Sequence, residues 1–387
     1  MNFKKSFVIV ALFIVTLALV MVGLIILSSA SAALLIRGGP DQNLYIHLGK
    51  QLIWLALGLG LMGLATQFDY NLLRPLARPF LLFNMVLLAA VLWSPLGYTI
   101  NSARRWLDLG FIHIQPSELA KLTMILYLAE SWSRKYEDLE DFWRGVVPTF
   151  TVIGVILAMI FPQPDKGTAF FLGSLCVMLW FIAGGNVRRI LPILCILLAV
   201  TLLLIASDDY SRRRITGFLF GESDHIRMSK VAFANGSWSG VGVGQSRQAM
   251  GFLPEPNTDF IFAVYAEELG FVGCILMLSA FATIVLISVY VALKCDDLFG
   301  SLVSAGCGLC IGFQAFLNIA VVTKVVPTKG ISLPFISYGG SSLAVFMVMV
   351  GLIMNVAGST LRGDVSDRTT YPKRRRQSSA ELHPLSI

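Results

Sequence analysis

Residues 189–206 read RILPILCILLAVTLLLIA and run directly into residues 207–268, SDDYSRRRITGFLFGESDHIRMSKVAFANGSWSGVGVGQSRQAMGFLPEPNTDFIFAVYAEE. The first stretch is apolar almost without interruption. Crossing the roughly 30 Å hydrocarbon core of a bilayer takes about 20 such residues in a helix, whereas a barrel strand would alternate. The second stretch is a polar insertion with six basic residues (Arg212, Arg213, Arg214, Arg227, Lys230 and Arg247) and a glycine run from Gly240 to Gly244. It ends on a carboxylate, Asp259, where the next apolar segment begins. A membrane span that yields to this much polar chemistry and then resumes decides the fold class: helical and polytopic, with its chemistry gathered in one loop.

The rest of the chain agrees. Of 387 residues, 56% are hydrophobic and 14% charged, with a mean hydropathy of +0.74; a soluble domain is about 25% charged. Ten spans are expected, near 6–29, 46–67, 80–96, 116–132, 145–161, 168–184, 189–206, 259–292, 301–323 and 339–358. This makes an all-α polytopic membrane domain over 1–362, with its large outer loop at about 207–258, followed by a polar tail at 363–387. The tail carries Lys373-Arg374-Arg375-Arg376 and too little apolar surface to fold, and it suits anionic lipid. No nucleic-acid partner is read from it. Ser29-Ala30-Ser31-Ala32 has the look of a signal-peptidase site, but the apolar stretch Phe7–Leu27 exceeds the 7–15 residue core of a signal peptide, so a retained first span is expected. All six cysteines lie in spans or at their inner ends. Cys307 and Cys310 form a CxxC without the further ligands that zinc requires, and read as small packing residues.

An even number of spans puts both termini on one side. With the N-terminus inside, 16 of the 30 Lys and Arg fall on inner segments and 12 on outer ones. Short connections such as Asn186-Val187-Arg188-Arg189 carry the orientation signal, since long loops translocate regardless of charge. Both termini are therefore expected in the cytoplasm. The outer basic residues cluster in loops that also hold Gly, Pro and polar side chains, a composition suited to an anionic, membrane-bound ligand such as a lipid phosphate.

Four further stretches supply candidate chemistry. Asn101-Ser102-Ala103-Arg104-Arg105-Trp106 precedes Gln115-Pro116-Ser117-Glu118-Leu119-Ala120-Lys121. Arg104 and Arg105 can offer guanidinium forks to phosphate. Glu118 suits the first turn of a helix by its dipole and shares a face with Lys121, whose charge within a span needs a partner or a wet cavity. In Pro164-Asp165-Lys166-Gly167-Thr168, Asp165 either caps the next helix or binds a cation or sugar hydroxyl. Within the insertion, His225 to Asn235 reads as a short interfacial helix. The glycine run lacks the strand and the Lys-Ser/Thr of a nucleotide loop, so a backbone that closes on a ligand is expected.

Leu253-Pro254-Glu255-Pro256-Asn257-Thr258-Asp259-Phe260 ends the insertion, and Thr258 or Asp259 can cap the span that follows. Yet Asp259 stands where water meets hydrocarbon, and partial desolvation makes a carboxylate a better base. On a regular helix Glu267 and Glu268 lie roughly 12–14 Å deeper. Glu267, about 80° round from Asp259, would share its cavity with Lys121 as counter-ion. The last outer loop, Pro327-Thr328-Lys329-Gly330-Ile331-Ser332-Leu333-Pro334-Phe335-Ile336-Ser337-Tyr338-Gly339-Gly340-Ser341-Ser342, brings Lys329 and small hydroxyl residues to a ligand. Irregular backbone at that depth must be buried in protein or line a cavity.

Together these loops resemble the SEDS family (shape, elongation, division and sporulation), which includes FtsW, RodA and SpoVE. NSARRW with QPSELAKL, PDKGT, the glycine run with LPEPNTDFIFAV and EELG, and PTKGISLPFISYGGSS carry the likeness over nearly the whole chain. The last motif is most like the division-type FtsW branch. The resemblance implies a peptidoglycan glycosyltransferase that polymerises lipid II, an undecaprenyl-pyrophosphate disaccharide-pentapeptide, into β-1,4 glycan for the septal wall. It implies Asp259 as the catalytic carboxylate. Arg104, Arg105, Glu118, Lys121, Asp165, Arg247, Gln248, Glu267, Lys329, Ser337 and Ser341 are then candidate substrate contacts.

A divalent cation, magnesium or manganese, would assist the leaving group, although no ligand cluster in the sequence specifies one. The implied partners are a class B penicillin-binding transpeptidase and other divisome proteins, at the septal inner membrane of a bacterium. Three positions depart from the family pattern: Asn257 where His is frequent, Lys166 in place of Leu, and Ala249 where Lys often follows Gln. The alternatives are a lipid II flippase and a scaffold that only recruits the transpeptidase.

Overall fold

The computed structural model describes residues 3–36, 44–192, 195, 221, 224–251, 256–327 and 330–360, less 101, 102, 109, 111, 112, 140, 164 and 187. The helices are α1 (Phe3–Ile36), α2 (Leu44–Gln67), α3 (Leu73–Trp93), α4 (Pro116–Arg134), α5 (Val147–Ile160), α6 (Lys166–Ile182), α7 (Asp224–Gly236), α8 (Arg247–Gly251), α9 (Ile261–Lys294), α10 (Leu298–Val322) and α11 (Gly340–Thr360). Nine of the ten expected spans are helices within these bounds. The seventh, 189–206, falls mostly outside the described residues, as do Arg212, Arg213, Arg214, Lys329 and the tail 363–387.

Among the described residues, seven helices are long and apolar enough to cross a membrane, and α6 is a shorter apolar one. The protein is thus a multi-pass membrane protein. α4 fails the apolar test because Glu118, Lys121, Glu130 and Arg134 lie within it, yet Glu118, Lys121 and Glu130 are buried. Ion pairs tie Glu118 to Lys121 at 2.7 Å and Arg78 to Glu130 at 3.1 Å, so α4 need not face lipid with bare charge. The most apolar windows of α10 and α11 are 72% and 78% buried, against 17% and 28% for α2 and α3. α4, α10 and α11 therefore form the inside of the bundle, and α2 and α3 flank it.

α1 is continuous through the cleavage-like Ser29-Ala30-Ser31-Ala32 and packs as part of the core through Leu12, Leu19, Val20, Ile26, Leu27, Ala30 and Ala33. Its small residues serve close approach. A side chain at Gly23 would stand 2.6 Å from the Phe335 carbonyl, and Ser29 donates to Glu268.

Two features depart from a simple row of helices. Residues 97–114 form a three-stranded antiparallel sheet, β1 (Gly97–Ile100), β2 (Ala103–Asp108) and β3 (His113–Ile114), with a register irregularity at Tyr98/Thr99. It covers the end of α3 before α4 begins. The second is a break in α9. As a single rod its 34 residues would extend about 51 Å, well beyond the hydrocarbon core. Instead Gly270 adopts φ 66°, ψ −166°, a conformation open essentially to glycine alone.

The residues after α7 fill the break. Phe271 and Val272 donate their N–H groups to the Ser237 and Trp238 carbonyls (2.9 and 3.2 Å), and Val241 and Gly242 donate to the Glu267 and Glu268 carbonyls (both 3.0 Å). Backbone groups freed by the break are thus paired within the protein, as membrane depth requires. This corrects the expectation that the glycine run closes on a ligand. A Cβ at Gly240 would stand 2.1 Å from the Glu268 carbonyl, so that glycine lies directly on α9, while Gly242 and Gly244 hold positive φ of 101° and 80°.

Candidate active site

Asp259 lies in a run of turns over 256–260, two residues before the first helical residue of α9. The N-cap of α9 is Phe260, without a side-chain cap, so Asp259 stands one residue outside the N-cap position. Two segments fix its backbone. From α10, Asn318 Nδ2 donates to the Asp259 carbonyl at 3.0 Å and to the Ile331 carbonyl at 2.7 Å. From the loop before α11, Ser337 Oγ donates to the Thr258 carbonyl at 2.7 Å, and the Tyr338 N–H to the Asn257 carbonyl at 2.9 Å. Ser337 Oγ also accepts the Leu333 N–H at 2.8 Å, which closes the Leu333–Ser337 turn on itself.

Gly330 faces the carboxylate. A Cβ there would lie 2.8 Å from Asp259 Oδ2, so the glycine makes room for the acid. Asn257 reaches α1 through Ser31 Oγ at 3.2 Å. Burial pushes the Tyr338 phenol above its ordinary value, which keeps it a neutral hydroxyl.

Beside this cluster lies a buried polar chain. Lys121 Nζ donates to Glu118 Oε1 at 2.7 Å and to Gln314 Oε1 at 2.6 Å, with the Phe171 and Phe346 rings each 5.4 Å away. Gln314 Nε2 in turn donates to the Ser332 carbonyl at 2.9 Å. The chain runs from α4 through α10 into the loop that contains Gly330.

These motifs order themselves as one recognised whole. The FtsW/RodA/SpoVE family model, described as cell cycle protein, matches residues 10–361. The chain belongs to that family. It is 38% identical over 350 residues to a probable peptidoglycan glycosyltransferase FtsW of Geobacter metallireducens, covering 89% of this chain and 93% of the relative. It is 36% identical over 363 residues to stage V sporulation protein E of Bacillus subtilis, covering 92% and 99%. A solved structure described as structural coordination of polymerization and crosslinking by a peptidoglycan synthase complex is similar at TM-score 0.74 and 30% identity, covering 91% of this chain and 98% of that one. Rod shape determining protein RodA of Thermus thermophilus is similar at TM-score 0.64 and 29% identity, covering 89% and 95%.

For this FtsW/RodA/SpoVE-family chain the remaining candidates fall into separate groups. Arg104 and Arg105 are neighbours on β2, where successive side chains take opposite faces. Arg104 donates to the Ser94 carbonyl, and Arg105 Nε to the Gln163 carbonyl at 3.0 Å. Side by side in sequence, they bind two different loops rather than forming one fork. Asp165 caps α6, with Oδ1 accepting the Thr168 N–H at 3.2 Å, while its buried Oδ2 has no hydrogen-bond partner among the described residues. Ser341 Oγ accepts the Gln115 N–H at 3.4 Å and joins α11 to the start of α4.

Glu267 does not pair with Lys121, which corrects the sequence expectation. Its carboxylate is fully buried and accepts Asn235 Nδ2 at 2.8 Å, Ser246 Oγ at 2.5 Å and the Gln248 N–H at 3.2 Å. Lys121 has a nearer carboxylate one turn away on its own helix, and the donors of α7 and α8 reach Glu267 first. Glu268 accepts the hydroxyl of Ser29 on α1. The Glu267 carboxylate thereby holds the 235–248 segment to α9, and that of Glu268 ties α9 to α1. Gln248 is buried and Arg247 exposed on α8.

Among the described residues, no three His, Cys, Asp or Glu side chains gather as metal ligands. Around Asp259 the described groups offer one carboxylate with amide and carbonyl groups, the sparse protein set with which magnesium is held alongside substrate phosphates and water. Gln314 and Asn318 were missed by the sequence reading. The available signal was two amides four residues apart on one face of an apolar span.

Proposed function

We propose that this chain is a peptidoglycan glycosyltransferase that polymerises lipid II into β-1,4 glycan with inversion, for septal wall synthesis. Asp259 is its base. The observation that carries the assignment is the placement of Asp259: just before the N-cap of α9, backbone-fixed from α10 and from the 331–338 loop, and faced by a glycine that makes room for its carboxylate. Base catalysis needs a carboxylate held in place at an open position.

In the proposed reaction Asp259 accepts the proton of the acceptor sugar's 4-hydroxyl. That oxygen bonds to the donor's anomeric carbon while the bond to undecaprenyl pyrophosphate breaks and its electron pair leaves with the pyrophosphate. Attack opposite an α-linked leaving group gives the β product. Arg105, Arg247 and Lys329 are the basic candidates for the pyrophosphate, and Asp165 Oδ2 for a sugar hydroxyl. The chain would act with a class B penicillin-binding transpeptidase and other divisome proteins, both termini cytoplasmic. Its likeness to a subunit of a peptidoglycan synthase complex supports that partnership.

The broken helix α9 also suits a lipid II flippase, since broken helices build transporter sites. Labelled lipid II supplied to the purified chain with its cognate transpeptidase separates the readings. Wild type should extend glycan and Asp259→Asn should lose at least 100-fold in rate, the scale of general-base catalysis. Equal polymer from both proteins would end the catalytic assignment, and translocation without polymer would favour the flippase.

A further inference from the structure

The backbone carbonyl of Asp259 is held by a group on a different helix. Asn318 is 1% exposed on α10, and its Nδ2 donates to two carbonyls, Asp259 at 3.0 Å and Ile331 at 2.7 Å. Two acceptors on one side determine which way the amide points, because its oxygen would repel both. The second carbonyl follows Gly330, the residue packed against Asp259 Oδ2. One side chain therefore joins the base to the loop that borders it.

One turn earlier on the same face, Gln314 repeats the arrangement. Its Nε2 holds the Ser332 carbonyl at 2.9 Å, and its Oε1 accepts Lys121 at 2.6 Å. The ion pair of Lys121 with Glu118 gives that second rung a rigid, charged anchor inside the bundle.

We propose that Asn318 is a positioning residue for the glycosyl transfer, a two-carbonyl clamp that sets where the Asp259 carboxylate stands relative to Gly330, with Gln314 and Lys121 holding the same loop from below. This rests on the assignment of Asp259 as base. The clamp acts on orientation rather than on substrate affinity. Its loss lowers kcat and leaves KM for lipid II nearly unchanged, since near-attack geometry is sensitive to displacements of about 1 Å. Gln314→Leu, which cuts the lower rung and leaves the Asp259 bond intact, has a smaller effect.

The test is steady-state polymerisation of lipid II by the full chain co-purified with its cognate transpeptidase, comparing wild type, Asn318→Leu, Asn318→Asp, Gln314→Leu and Asp259→Asn. Asn318→Asp keeps size and sets oxygen against both carbonyls. Expected is a kcat loss of at least tenfold in both Asn318 variants, about 1.4 kcal/mol on the barrier, with KM within twofold. Asn318→Ser, smaller and still a donor, takes the place of Asn318→Leu if that variant does not fold, and should recover part of the rate. An Asn318 variant that folds and turns over within twofold of wild type, or one whose loss is all in KM, overturns the clamp. Asp259→Asn tells the two ideas apart. If it is inactive while Asn318 variants are normal, only the clamp fails; if it polymerises normally, the base assignment fails.

Discussion

Gly330 and Glu267 show how single side chains acquire their roles from neighbours distant in sequence. Gly330→Ala places a methyl carbon 2.8 Å from Asp259 Oδ2, closer than real Cβ contacts come. The carboxylate must move, so polymerisation should fall at least tenfold while the melting temperature changes little; a wild-type rate would mean the carboxylate tolerates displacement. Glu267→Gln replaces an acceptor of three hydrogen bonds with a group that turns a donor toward some of them. We expect the 236–251 segment to loosen, seen as faster proteolysis there, at a cost of roughly 1–3 kcal/mol. Because Glu267 and Lys121 share no bond, the effects of Glu267→Gln and Lys121→Met on stability should add; coupling would show a link the structure lacks.

Two elements show how a membrane fold accommodates what lipid would refuse. In α4, charge is tolerated because Lys121 pairs with Glu118 Oε1 and Gln314 Oε1 inside the bundle. Lys121→Met alone leaves Glu118 buried without its cation and should destabilise by about 3–5 kcal/mol, whereas adding Glu118→Gln should restore much of the loss. Thermal unfolding in detergent reads both. In α9, Gly270→Ala meets a positive φ and the Gly240 nitrogen 2.4 Å from the new carbon. The break cannot keep its present path, and unfolding temperature and protection of the 236–251 segment should fall together. An unchanged melting curve would show that the break is not held by glycine.

The whole molecule depends on α1 being kept. Ser29 bonds Glu268 and Ser31 bonds Asn257, so α1 supports both the first part of α9 and the segment next to Asp259. The purified protein should retain residues before Ser31 on N-terminal sequencing; a start at Ala32 or beyond would contradict the packing.

The apolar runs determined nearly all of the helical architecture, because a segment that must satisfy its own backbone in lipid has little choice of structure. Local pattern also placed Asp165 at the start of α6, α7 within the insertion, and Asp259 at the junction of loop and span, since capping and amphipathicity are written in adjacent residues. Tertiary structure decided the partners. Lys121 chose Glu118 over Glu267, the adjacent Arg104 and Arg105 parted to different carbonyls, the glycine run became a patch over a broken helix, and Asn318 came to hold Asp259 from 59 positions away. These outcomes depend on which buried donors and acceptors meet once helices pack, and a buried polar group takes the partner that packing brings nearest.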